Sequence, residues 1–140
     1  MGKFCNMPNE VTTNITIGAA IMESKKLVIV KDLGSQRWWL PGGQVAQNET
    51  EEQGLTRLIS KQMPGTTLKV TDVPPIVFDR KTEGLYKVFL CYAESGVYPP
   101  SGEEINFLHL IDGSQLNRYN IYDLPRRAIN QLIETRMLVN

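Results

Sequence analysis

Three groups of residues in this chain have the types and spacing to do chemistry. The first is a set of carboxylates: Glu49, Glu51 and Glu52 within four positions, and Glu103-Glu104 much later. Several converging carboxylate oxygens are what a hard divalent cation requires. The second is a pair of arginines, Arg57 and Arg80, each able to grip a carboxylate or a phosphate through its planar fork. The third is a set of aromatic residues: Trp38-Trp39, Phe78 and Tyr86. Aromatic rings offer surfaces on which a nucleobase can stack. The single histidine, His109, has no identifiable serine or cysteine partner and reads as structural.

These residues need elements to position them. Ile15–Met22 and Lys26–Lys31 are β-branched, apolar runs joined by a polar turn, and they predict two strands. Trp38-Trp39-Leu40 predicts a short strand stopped by Pro41-Gly42-Gly43. Alternation then places Trp38 in the core and Trp39 on the opposite face. Thr50 with Gln53 three residues later makes a capping box. Glu51 and Glu52 suit the first turn of the helix it opens. Leu55, Leu58 and Ile59 form the apolar stripe, and Pro64-Gly65 ends the helix. Further strands are expected at Leu68–Val73, Ile76–Arg80, Leu85–Ala93 and Ile105–Ile111. A last helix, with Asp123 as its expected cap and Pro125 in its first turn, carries Ala128, Ile129, Leu132 and Ile133 on one stripe. The order predicts an α+β domain, residues 14–140, with a mixed sheet sandwiched between two helices. Residues 1–13 are polar and predict a flexible lead-in.

Composition narrows the function. Fifteen Lys and Arg balance fifteen Asp and Glu, so the formal net charge is zero. A neutral chain has no global field to draw it onto a phosphate backbone, so nucleic-acid binding would be local and read through bases. No window approaches the roughly 18 apolar residues of a membrane span. The first ten residues lack an apolar signal core. Two cysteines, Cys5 and Cys91, do not make a disulfide framework. The expectation is an intracellular, reducing setting, cytoplasmic or nuclear, with no membrane partner.

The stretch from Leu40 to Gly65 resembles the signature box of the Nudix family. The family pattern is Gly, Glu six positions later and Arg eight beyond that. Three acids follow on one helix face, immediately after the Arg and then three and four residues further on. Gly43, Glu49, Arg57 and Ile59 fall on their marks. The resemblance implies an α/β/α Nudix sandwich and, where the acids are present, magnesium-dependent cleavage of a nucleoside diphosphate linked to another moiety. Here Leu58, Lys61 and Gln62 replace the three acids. An ammonium repels a unit positive charge 4 Å away by roughly 4 kcal/mol at an effective dielectric of 20, and a divalent ion about twice as much. No metal is therefore expected at this place, and no cofactor. An alternative keeps the enzyme, with magnesium on a relocated site built from Glu49, Glu52, Glu103 and Glu104.

Gly54-Leu55-Thr56-Arg57-Leu58 and Tyr86-Lys87-Val88-Phe89-Leu90 are also similar to the Nudix-fold subunits of eukaryotic pre-mRNA cleavage factors. These bind a short single-stranded RNA through base edges, using a glutamate that falls on Glu49, and pair as homodimers. The resemblance implies a binding protein for a nucleotide or short RNA, with a homodimer as a possible assembly. The expected ligand-binding residues are Glu49, Arg57, Trp39, Phe78, Arg80 and Tyr86.

Overall fold

The computed structural model describes residues 12–135. Seven strands and two α-helices follow in the order β1 (Thr12–Glu23), β2 (Lys26–Lys31), β3 (Gly42–Ala46), α1 (Glu51–Gln62), β4 (Leu68–Val70), β5 (Ile76–Asp79), β6 (Leu85–Ala93), β7 (Phe107–Ile111) and α2 (Asp123–Glu134). The strands form one mixed sheet, ordered β4-β6-β1-β2-β7. Strand β1 runs parallel to β6 and antiparallel to β2 and β3. Strand β5 pairs with the first half of β6, and β4 with its end.

Alternation along the strands sends side chains to two separate cores. Ile17, Ala19, Ile21, Val28 and Val30 point to one face, where Leu55, Leu58, Ile59 and Met63 of α1 and its end cover them. Ala20, Met22, Leu27, Ile29, Val88 and Leu90 point to the other, under Ala128, Ile129 and Leu132 of α2. The expected α/β/α sandwich is present, and Trp38 lies in the core as expected, 9% exposed.

Strands β1, β4, β5 and β7 differ from expectation by one to three residues at an end, and three differences go further. Residues 38–40 form no strand; Trp38 and Trp39 make only single bridges, to Ile121 and Val30. The strand lies instead at Gly42–Ala46, where Pro41-Gly42-Gly43 had read as a stop. The reason is crowding. A Cβ on Gly42 would lie 2.0 Å from the Ile17 carbonyl oxygen, so glycine is required by the close approach of β1. The expected lead-in overlaps β1 by two residues, because Thr12 aligns with Ala46 in the sheet; the rest of it, and Cys5, lie outside the described residues. Finally, the N-cap of α2 is Tyr122, and Asp123 is the first helical residue. Asp123 therefore cannot cap the helix; its carboxylate meets Arg127 at 3.1 Å, one turn on.

Among the described residues no helix is long and apolar enough to cross a membrane.

Candidate functional site

Helix α1 forms as its local signals predict. Thr50 Oγ1 accepts from the Gln53 N–H at 3.1 Å, and the Gln53 side chain accepts from the Thr50 N–H at 2.8 Å. With the helix fixed, Arg57 reaches back to the turn before it. Its Nε and Nη2 donate to both oxygens of Glu49 at 2.6 to 3.2 Å, and Nη2 also reaches the Gln44 carbonyl at 3.1 Å. Glu49 further accepts from the Ala46 N–H at 2.8 Å. Arg57 first, then that N–H, hold the Glu49 carboxyl below its usual range. The pair thus clamps the β3–α1 turn to the helix.

Leu58, Lys61 and Gln62, the three positions where the resemblance leads one to expect acids, are each occupied by protein contacts. Leu58 is 7% exposed, and its methyl groups fill the space beside Gly43, where a Cβ would come within 3.0 Å of them. Gln62 is 3% exposed; its amide donates to the Gly42 carbonyl at 2.8 Å and to Glu104 at 3.0 Å, and accepts from the Gly42 N–H at 3.2 Å. Lys61 closes the group with an ion pair to Glu104 at 2.7 Å. Lys61, then Gln62, hold the Glu104 carboxyl below its usual range, while Glu104 raises the Lys61 ammonium above its own.

The structure does not bring Glu49, Glu52, Glu103 and Glu104 together. Glu49 is spent on Arg57 and Glu104 on Lys61 and Gln62, while Glu52 and Glu103 are exposed. Among the described residues no three Asp, Glu, His or Cys side chains gather to hold a metal. Magnesium does not fit this face: it would meet a leucine, an ammonium and an amide already bonded to the backbone.

The other face is covered by α2 except near the start of that helix. A cavity of about 560 Å³ lies between the Gly42-Gly43 strand, the β5–β6 hairpin and the start of α2. Three expected ligand residues line it: Trp39, Arg80 and Tyr86. Glu49 and Arg57 do not, since they face each other across the β3–α1 turn. Phe78 stands behind Tyr86, ring to ring at 6.1 Å, and packs toward the core. Tyr86 lies flat across β1 because its neighbour there is Gly18; a Cβ at that position would be 2.7 Å from the Tyr86 hydroxyl oxygen. Burial raises the Tyr86 phenol well above its ordinary pKa, against the pull of Arg80.

Sequence reasoning missed Tyr122, Leu124 and Pro125, which also line the cavity. Tyr122 approaches Trp39 with ring centroids 6.0 Å apart, and the Arg37 guanidinium lies 5.2 Å from the Tyr122 ring. Pro125 marked the helix start, but nothing local shows that this start meets Trp39. His109 is held by Tyr119 at 3.1 Å and packs on Trp38 at 4.7 Å, away from the cavity. Cys91, buried with its thiol pushed up to about 12, is no nucleophile at neutral pH.

No protein-family model and no curated protein matches the sequence. Solved structures do match the fold. A Nudix hydrolase from Nitrosomonas europaea superimposes with a TM-score of 0.74 at 18% identity, over 88% of this chain and 71% of that one. An ADP-ribose pyrophosphatase from Streptococcus suis gives 0.71 at 16% identity, over 90% and 93% of the two chains. A UDP-X diphosphatase gives 0.71 at 22% identity over 88% of this chain, which spans only 62% of that protein. The chain has the fold of the Nudix hydrolases.

Proposed function

We propose that this chain binds a nucleotide or a short single-stranded RNA in the cavity on the α2 side of the sheet, without magnesium-dependent hydrolysis. The observation that carries this reading is the closed α1 face: Leu58 against Gly43, Lys61 on Glu104, Gln62 on the Gly42 peptide. The side chains that would have to gather a divalent ion are instead cross-linking the fold. The cavity supplies what a nucleotide needs from a binding protein. Trp39 and Tyr122 offer ring faces for a base, and Arg80 and Tyr86 offer donors. Its volume suits a ligand of that size.

The solved relatives named as diphosphatases and pyrophosphatases favour a second reading, a divergent hydrolase of a nucleoside diphosphate joined to another group. One experiment separates the two. Nucleotides, capped and uncapped RNA oligomers and dinucleotide cofactors are screened by thermal shift, in magnesium and in chelator, with recovery of the ligand afterwards. A binding protein is stabilised equally in both conditions and returns the ligand intact. Stabilisation that requires magnesium or manganese, or recovery of a cleaved diphosphate, would establish the hydrolase.

A further inference from the structure

Helix α2 starts without a cap. Its N-cap residue, Tyr122, contributes no side-chain hydrogen bond. The first N–H groups of a helix have no partner within it. Those of Asp123 and Leu124 find none elsewhere among the described residues, and Pro125 has none to offer. These residues form one wall of the cavity. Tyr86 also lines the cavity, only 7% exposed, and its hydroxyl has no hydrogen-bond partner among the described residues. The oxygen itself is not closed off from solvent, so the hydroxyl opens into the cavity with its donor free. Beside it, Arg80 donates to Thr16 Oγ1 at 3.0 Å and to the carbonyls of Glu83 at 2.7 Å and Gly84 at 3.3 Å. No carboxylate forms an ion pair with it among the described residues.

The unmet groups at the α2 start, on Tyr86 and on Arg80 can all donate. The positive end of the α2 dipole and the Arg80 cation carry the same sign. Two carboxylates border the cavity, those of Glu83 and Asp123, but both belong to exposed residues and Asp123 is turned to Arg127.

We propose that a phosphate group of the ligand sits at the open N-terminus of α2, taking hydrogen bonds from the Asp123 and Leu124 N–H groups, the Tyr86 hydroxyl and Arg80. This rests on a nucleotide-like ligand occupying the cavity. It goes further by assigning the anion to α2, across the sheet from the helix whose acids are lost.

The test measures binding of the four common ribonucleosides, their 5′-monophosphates and inorganic pyrophosphate by calorimetry in chelator and low salt. At least one monophosphate is expected to bind tenfold or more tightly than its own nucleoside. Tyr86→Phe keeps the ring and the packing and should reduce that ratio several-fold. Two substitutions at Asp123 isolate the backbone donor. Proline is favoured at the first helical position, and Tyr122, with ψ of 153°, already has the conformation proline demands of its predecessor. Asp123→Asn removes the charge and should tighten monophosphate binding. Asp123→Pro removes the charge and the N–H together and should bind about tenfold less tightly than Asp123→Asn. If nucleosides and monophosphates bind alike, the cavity is a nucleoside site and the phosphate assignment fails alone. If the two Asp123 variants behave identically and Tyr86→Phe leaves the ratio unchanged, the phosphate lies elsewhere. If nothing binds, the nucleotide reading falls with it.

Discussion

The two faces of the sheet treat their polar groups in opposite ways. Under α1, Glu49 with Arg57 and Glu104 with Lys61 and Gln62 answer one another at 2.6 to 3.2 Å. Under the start of α2, the Tyr86 hydroxyl, one edge of Arg80 and two helix N–H groups answer nothing among the described residues. Matched groups brace the fold, whereas donors left free beside a cavity are available to whatever enters it. The α1 face is a brace, and the binding reading proposed above places recognition on the other side.

The largest effect that tests this contrast is expected from Gln62→Leu. The substitution strands the N–H and carbonyl of Gly42 and one oxygen of Glu104. Buried unmet groups cost about 1–3 kcal/mol each, so roughly 2–4 kcal/mol of stability should be lost in urea denaturation. A loss below about 0.5 kcal/mol would mean that this amide braces nothing. Arg57→Leu comes next, at roughly 1–2 kcal/mol, because Glu49 loses a two-oxygen partner but keeps the Ala46 N–H. Arg57→Lys should recover only part of that, since an ammonium cannot match both oxygens.

The α1 face was legible because its signals are local. A capping box, a stripe and Arg57 eight residues after Glu49 can all be read along the chain. The strand at Gly42–Ala46 was not, since glycine there answers to Ile17 and Leu58, residues distant in sequence. Arg80, Tyr86 and Trp39 were identified by residue type and position near turns. Tyr122 was invisible for the same reason as Gly42: its meaning comes from meeting Trp39, and from a helix that starts at Asp123 itself, where Asp123 had read as the cap before it. Lys61 and Gln62 could be read as lost acids, but their bonds to Glu104 depend on where the loop before β7 folds back.

The faces should also fail at opposite ends of the pH scale. Glu49 and Glu104 have lowered folded-state pKa values. Their stabilisation is present above the unfolded value near 4.5 and is lost as pH falls through the folded values. Glu104→Gln should therefore flatten the acid limb of a stability profile. Tyr86 has a raised pKa, so its neutral form is favoured in the fold. That stabilisation is complete below the ordinary value of 10.0 and declines as pH rises beyond it. Tyr86→Phe should flatten the alkaline limb and leave the acid limb unchanged. Melting temperatures from pH 3 to 11 would check both, and a Glu104→Gln profile that parallels the wild type in acid would break the pairing argument.

The smallest stability change is expected where the two functions of α2 meet. Arg127 pairs with Asp123 across one helical turn, and both side chains are largely exposed. Such pairs contribute about 0.3–0.5 kcal/mol and weaken in salt, so Arg127→Ala should barely move the melting temperature. Ligand binding should respond more. Without Arg127 the Asp123 carboxylate is uncompensated at the helix start, beside the donors assigned to phosphate. A nucleoside monophosphate should then bind more weakly than to the unaltered chain, its nucleoside should bind as before, and added salt should narrow the gap. Equal weakening of nucleoside and monophosphate would instead mean that Arg127 shapes the cavity wall, and that charge at the start of α2 does not sort ligands.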